Sequence, residues 1–181
     1  MTSAVTSTVT VQFFRPLLQA VEAAAGSPQL LYDATGLAAD DFAESEQLLP
    51  FPALVAAWQA AIRICREPLL PLRLGQRSHP GDFGILGMLA QSSSTLGEAL
   101  ELGVRYERLV NQSFGSTLLL LDDHVANRLE LPPLPMDTLR PMVEFDFAAL
   151  VSFGKFLMRT PDERMSPLRV SFRHQPAGPV R

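Results

Sequence analysis

Gly81-Asp82-Phe83-Gly84-Ile85-Leu86-Gly87-Met88-Leu89-Ala90-Gln91-Ser92-Ser93-Ser94-Thr95-Leu96-Gly97-Glu98-Ala99-Leu100, running on to Arg105-Tyr106, reads as two helices either side of a serine-rich turn. Thr95 is placed to cap the second helix. Glu98, three residues on, is expected to reach back to the Thr95 backbone N–H and complete a capping box. Leu96, Ala99, Leu100, Gly103, Tyr106 and Val110 then recur at helical spacing, with Glu101 and Arg105 an i,i+4 pair on the outside. The first helix is opened by Asp82. Its Gly84 and Gly87 lie one turn apart, on a surface where another backbone can approach closely.

Towards the N-terminus the helical period persists. Residues 14–25 form one helix, with Pro16 in its first turn, Leu17, Leu18 and Val21 inward and Gly26 as the stop. A short helix over 29–35 follows, then a solvated acidic connection with Asp40, Asp41, Glu44 and Glu46. Residues 51–65 give the clearest helix: Pro52 suits the first turn, and Leu54, Val55, Trp58, Ala61, Ile62 and Cys65 form a stripe that ends before Pro68. Before all of these, Thr8-Val9-Thr10-Val11 is a weak strand at the end of a polar arm.

Towards the C-terminus the period becomes extended. Residues 116–121 and 125–131 flank Asp122-Asp123-His124 and read as a β-hairpin. Pro132, Pro133 and Pro135 enforce a loop. Asp137 then caps a long helix through residue 158, with Val143, Phe147, Leu150, Gly154 and Leu157 inward. Leu168, Val170 and Phe172 alternate with Arg169, Ser171 and Arg173, which predicts a final strand with one buried face. Helices first and strands later, without β-α-β alternation, predict an α+β single domain with an N-terminal helical layer packed on a small antiparallel β-sheet.

Helix, Ser-rich turn, capped helix: this order resembles the ligand-sensing N-terminal domain of AraC-type transcription regulators. That arabinose-binding-like domain precedes a helix-turn-helix module in its family. Leu30-Leu31-Tyr32-Asp33-Ala34-Thr35-Gly36-Leu37 is similar to the family's short second helix. Residues 51–65, then Glu67-Pro68-Leu69 and Leu72-Arg73-Leu74-Gly75, are similar to its long third helix and the Leu-Gly turn after it. Arg169-Val170-Ser171-Phe172-Arg173-His174 resembles the strand entering its last third. The match covers roughly residues 13–176, between a flexible arm (1–12) and a tail (177–181).

The resemblance implies a regulatory domain, not an enzyme, that needs no cofactor. It implies a small-molecule effector whose binding biases the linked module, with DNA reached only through a C-terminal module not present in this chain. A homodimer is expected on two grounds: the resembling regulators commonly dimerise, and a small sheet ending in an apolar strand leaves an edge to pair. The alternatives are a ligand-free interaction or dimerisation module and, more remotely, a serine hydrolase.

Composition bounds the function further. The chain has 181 residues, 47% apolar and 19% charged, with a net charge of −4 that provides no basic face for nucleic acid. Cys65 is the sole cysteine, so no internal disulfide forms, and its place on an apolar stripe predicts a buried, inert thiol. No apolar run reaches the ~20 residues of a membrane helix, and residues 1–10 lack the basic start of a signal peptide. A cytoplasmic protein without membrane contact is expected.

Motifs of catalysis are sparse. His79, His124 and His174 lie far apart with no second ligand at metal spacing, and read as surface residues. Gly81-x-x-Gly84-x-x-Gly87 has neither the strand nor the Lys-Ser/Thr of a phosphate loop, so close helix packing explains it better. Ser152-Phe153-Gly154-Lys155 has the Ser-x-x-Lys spacing, without the companion motifs. Asn111-Gln112-Ser113-Phe114-Gly115 lacks the first glycine of a nucleophile elbow. The pairs Asp122-Asp123 and Asp162-Glu163 sit in polar turns. For a sensor pocket, Trp58, Phe83, Tyr106, Phe145 and Phe153 are the candidate apolar walls. Arg77, Arg105 and Arg108 are the candidate forks for a carboxylate-bearing ligand.

Overall fold

Val9 and Val11 are fully buried, so the core begins among the first residues that the computed structural model describes, which are 7–44, 46–159 and 167–175. Strand β1 (Thr8–Thr10) pairs antiparallel with β2 (Leu48–Pro50), Val9 opposite Leu49. Its other edge meets Asn111 through a single bridge. There Thr10 N–H donates to Val110 O at 2.8 Å, and Gln112 N–H to Thr8 O at 2.9 Å. With backbone groups satisfied on both sides and valines in the core, the segment expected as part of a loose arm is anchored from Thr8 onward. Residues 1–6 of that arm and the tail 177–181 lie outside the described residues.

The helical layer follows the hydrophobic period closely. Helix α1 (Arg15–Ala25) and α2 (Gln29–Thr35) each end on a left-handed glycine, Gly26 at φ 74° and Gly36 at φ 70°. A side chain at either would be strained, and each glycine N–H closes the last turn. Both helices pack on α3 (Phe51–Cys65), whose Leu54, Trp58 and Ala61 are buried. Trp58 sits against Phe145 at 5.4 Å between centroids. The Cys65 thiol is half-buried and not buried as expected; it donates to Ala20 O at 3.6 Å, and desolvation pushes its pKa up.

The expected Leu-Gly turn after α3 is a helix instead. Helix α4 (Leu70–Arg77) contains Gly75, and it packs extensively against α7 (Met136–Leu157). A Cβ at Gly75 would run into the Phe145 carbonyl and the Ala148 methyl. The glycine is there for close backbone approach and not for a turn.

Helices α5 (Gly84–Ser92) and α6 (Leu96–Tyr106) form a hairpin across the serine turn. Asp82 does not open α5. Its carboxylate accepts from the His79 N–H at 2.7 Å and caps the 3₁₀ turn Pro80–Phe83, while His79 Nδ1 accepts from the Gly81 N–H. Gly87 backs onto the Pro80 carbonyl and Gly84, at φ 51°, onto the Gln12 amide, so this glycine run is a packing device. Thr95 Oγ1 caps α6 by accepting from the Glu98 N–H at 3.1 Å. The Glu98 carboxylate takes the N–H of Ser94 at 2.7 Å, one residue before the expected partner.

Strands β3 (Gly115–Leu120) and β4 (Val125–Glu130) form the hairpin, with Leu120 opposite Val125. The strands are antiparallel, as an α+β domain requires, but fall into two separate two-stranded pairs. Residues 168–173 form no strand. They fold back over α7, with Phe172 edge-on to Phe147 at 5.6 Å and His174 Nε2 3.2 Å from Glu144 Oε1. The His174 side chain is 4% exposed, so the surface histidine read from the sequence is a buried one. Its ring finds an acidic partner on the helix where a ladder partner was expected.

Candidate functional site

A cavity of about 190 Å³ opens between the α5–α6 hairpin, the inner face of β3–β4 and the C-terminal half of α7. Each wall is set by a period already visible in its element. Helix α6 contributes Leu96, Ala99, Leu100, Gly103 and Val104 at spacings of three and four, and the hairpin contributes Ser116, Asn127 and Leu129, two apart on β4. Helix α7 contributes Asp146, Phe147, Ala149, Leu150, Phe153 and Leu157. The helical stripe that announces α6 in the sequence is therefore a cavity wall. After Gly103 the wall continues through Glu107 and not Tyr106, which faces outward.

Polar groups are few and concentrated. Asp146 lines the cavity, is half-buried, and makes no hydrogen bond or ion pair among the described residues. Desolvation, then the charge of Glu107, pushes its pKa up to about 7. Glu107 Oε1 accepts the Ser116 backbone N–H. Asn111 Oδ1 is already used, by the N–H groups of Ser113 (3.0 Å) and Phe114 (3.2 Å). Asn127 Oδ1 is buried without a hydrogen-bond partner. Among the described residues, neither Lys, Arg nor His lines the cavity. This is an apolar box with a carboxylate end.

Of the residues proposed from sequence as a ligand site, Phe83 and Phe153 line this cavity, their rings 4.8 Å apart at an edge-to-face angle. Phe145 and Trp58 pack at a tilt in the core behind it, with Phe145 stacked on Phe83. Arg77, Arg105, Arg108 and Tyr106 are exposed and outside the lining. Among the described residues, none of the three arginines proposed as a fork faces the cavity. Sequence reasoning missed Glu107, Asn127 and above all Asp146. The available signal for Asp146 was a charged residue inside the inward-facing run Val143 to Phe147.

The other candidate chemistry is accounted for structurally. Ser152 Oγ donates to the Ser78 carbonyl at 3.0 Å, tying α7 to the end of α4. His79 packs on Phe156, and His124 pairs with Asp123 in the hairpin turn. Asp162-Glu163 lies outside the described residues. No group of three potential metal ligands occurs among the described residues, and no described helix is long and apolar enough to cross a membrane.

On the outer face of α7, Glu144 is buried against His174, and its pKa is raised by desolvation, with Arg140 and His174 opposing. Phe147 belongs to both faces: it lines the cavity and packs on Phe172. The cavity and residues 167–175 thus share a side chain.

The chain is 29% identical over 174 residues to the ornithine utilization regulator of Pseudomonas aeruginosa, which covers 96% of this chain and 50% of the relative. It spans about half the length of that curated relative. Residues 26–181 match the family described as the arabinose-binding domain of AraC transcription regulators, N-terminal. Family and relative are transcription regulators, not enzymes. With the match covering most of the chain, this protein belongs to the family of arabinose-binding N-terminal domains of AraC transcription regulators.

Proposed function

We propose that this chain senses a small-molecule effector, held in the cavity between α5–α6, β3–β4 and α7, and passes its occupancy to a linked DNA-binding module. The observation that carries the reading is Phe147. One ring forms part of the cavity wall and also the seat of Phe172, in the segment that runs toward the C-terminal end. An effector that moves or pins Phe147 changes the seating of residues 167–175. To act as a switch it needs different affinities for the two seatings. Family membership and likeness to a regulator of ornithine utilization support a metabolite as the input.

Dimerisation is part of the proposal. Leu120, Leu121 and Val125 are exposed together at the tip of the β3–β4 hairpin, an apolar strand end suited to a second copy. DNA contact is assigned to the linked helix-turn-helix module, and the acidic net charge of this chain agrees with that division.

A thermal-shift screen of a metabolite library tests the sensing reading, because a ligand selective for the native state raises the melting temperature by mass action. Gly103→Leu supplies the control. A Cβ at Gly103 meets nothing within 4 Å, and the residue lines the cavity, so the leucine fills the space without a backbone clash. The expected result is a stabilising compound whose effect disappears in Gly103→Leu. A library without such a compound, together with a concentration-independent dimer by light scattering, favours an interaction module that binds no ligand.

A further inference from the structure

We propose that the effector is a small aliphatic amine, its ammonium group seated on Asp146 and Glu107 with Asn127 Oδ1 beside them, a deepening that rests on the sensing reading above. Among the described residues, the ionisable side chains lining the cavity are both acids, one from α7 and one from the 3₁₀ turn Glu107–Leu109 after α6. Arg108 and Glu130 lie beside Gly115, outside the lining. Asp146 has no partner of its own, Glu107 accepts one backbone N–H with one oxygen, and the Asn127 oxygen is an unused buried acceptor. Every one of these groups lacks a donor or a positive charge, and an ammonium supplies three N–H donors and a charge at once.

The physics orders the competing ligands. Burial penalises the Asp146 charge, and the Glu107 carboxylate facing the same apolar space adds repulsion. A cation relieves both penalties, a neutral hydroxyl relieves neither charge, and an anion adds a third. The remaining walls, including Leu86, Leu100, Val104, Leu150 and Phe153, suit a short methylene chain. The volume of about 190 Å³ exceeds the ~150 Å³ of an apolar cavity that admits benzene, so a molecule of metabolite size fits.

The test titrates the full chain with n-pentylamine, n-pentanol and pentanoate, isosteres of opposite or no charge, by calorimetry at about pH 8, above the Asp146 titration. The amine is expected to bind about tenfold tighter than the alcohol or more, as a charge-assisted hydrogen bond predicts, and pentanoate weakest. Asp146→Asn, which removes a buried charge and is expected to fold, erases the amine preference, and Glu107→Gln reduces it. The preference also shrinks as the pH falls below about 7 and Asp146 takes its proton. Equal binding of amine and alcohol, a preference for the anion, no binding of any probe, or an undiminished preference in Asp146→Asn each overturns the proposal. The two readings fail separately. A neutral or anionic library compound whose effect is lost in Gly103→Leu keeps the sensing reading and removes the amine, whereas silence from library and probes removes both.

Discussion

Glu144 and Asp146 stand two residues apart on α7, roughly 200° around the helix, and the molecule treats them differently. Glu144 points outward under the returning C-terminal segment, where His174 lies 3.2 Å from it and Arg140 adds positive charge. Asp146 lines the cavity, where, among the described residues, the charge that acts on it is another acid, Glu107. Both are pushed up by burial. Only Glu144 has its burial offset from within the chain. A buried carboxylate with built-in partners fastens a segment, whereas one without them keeps the full cost of its charge. Between the two, Phe145 is held by Trp58, which fixes the rotation of the helix and so decides which carboxylate faces which side.

That hinge is where the comparison breaks most severely. Trp58→Ala removes a fully buried indole and its contact with Phe145, and is expected to cost about 3–5 kcal/mol in urea unfolding. Loss below about 1 kcal/mol would mean that α7 is oriented by other contacts.

The next effect concerns the unpartnered acid, and its sign is specific. Folded Asp146 keeps its proton up to about pH 7, against an ordinary value of 3.8. Between those two pH values the native state binds more protons than the unfolded one. Stability is therefore fully present below about pH 4 and declines as the pH rises through about 7. Asp146→Asn should stabilise the protein at about pH 8, by up to about 4 kcal/mol, and by nearly nothing below about pH 4. Parallel urea titrations at the two pH values measure this, and a destabilised variant at about pH 8 would show that the carboxylate has a partner after all. Glu144 is shifted in the same direction, so its contribution runs the same way.

The partnered acid gives a smaller effect of opposite character. His174→Ala strands Glu144 in a buried site and should destabilise by about 1–3 kcal/mol, while releasing residues 167–175 to faster amide hydrogen exchange. Unchanged exchange there would remove His174 as the clasp. Gly103→Ala is the mildest test: it adds a methyl to open space in a helix interior and should raise stability by about 0.5–1 kcal/mol. A drop would show that the cavity wall needs the gap itself.

The two sides of α7 were unequally legible. The α6 stripe Leu96, Ala99, Leu100 and Gly103 was readable from spacing alone, and it forms a cavity wall. Phe83 and Phe153 were found as aromatics in the right elements. Trp58 and Phe145 satisfied the same criterion and belong to the core, because hydrophobic period reports burial without saying whether the space beyond is filled. Arg77, Arg105 and Arg108 carry the chemistry of a carboxylate fork, and the structure leaves them exposed. Asp146 was hidden in a helix whose inward face was read as apolar.

The last segment shows the same limit from the other side. Alternation at Leu168, Val170 and Phe172 predicted a strand, yet alternation records only which side chains seek cover, and the cover here is α7 rather than a ladder.

The amino-acid sequence by itself determined the elements whose signals are local. The caps and stops at Thr95, Gly26 and Gly36, the helices over 29–35 and 51–65, and the hairpin about residues 122–124 all follow from backbone conformation and from neighbours within a turn. Family membership followed from the order of those signals. Tertiary structure alone decided that Thr8–Thr10 lies in the core, that Gly75 joins two helices, and that Glu107, Asn127 and Asp146 share one cavity while His174 closes on Glu144. Each of these depends on residues distant in the chain brought together by packing. A carboxylate's charge, partners and solvent are set by those neighbours and not by its place in the sequence.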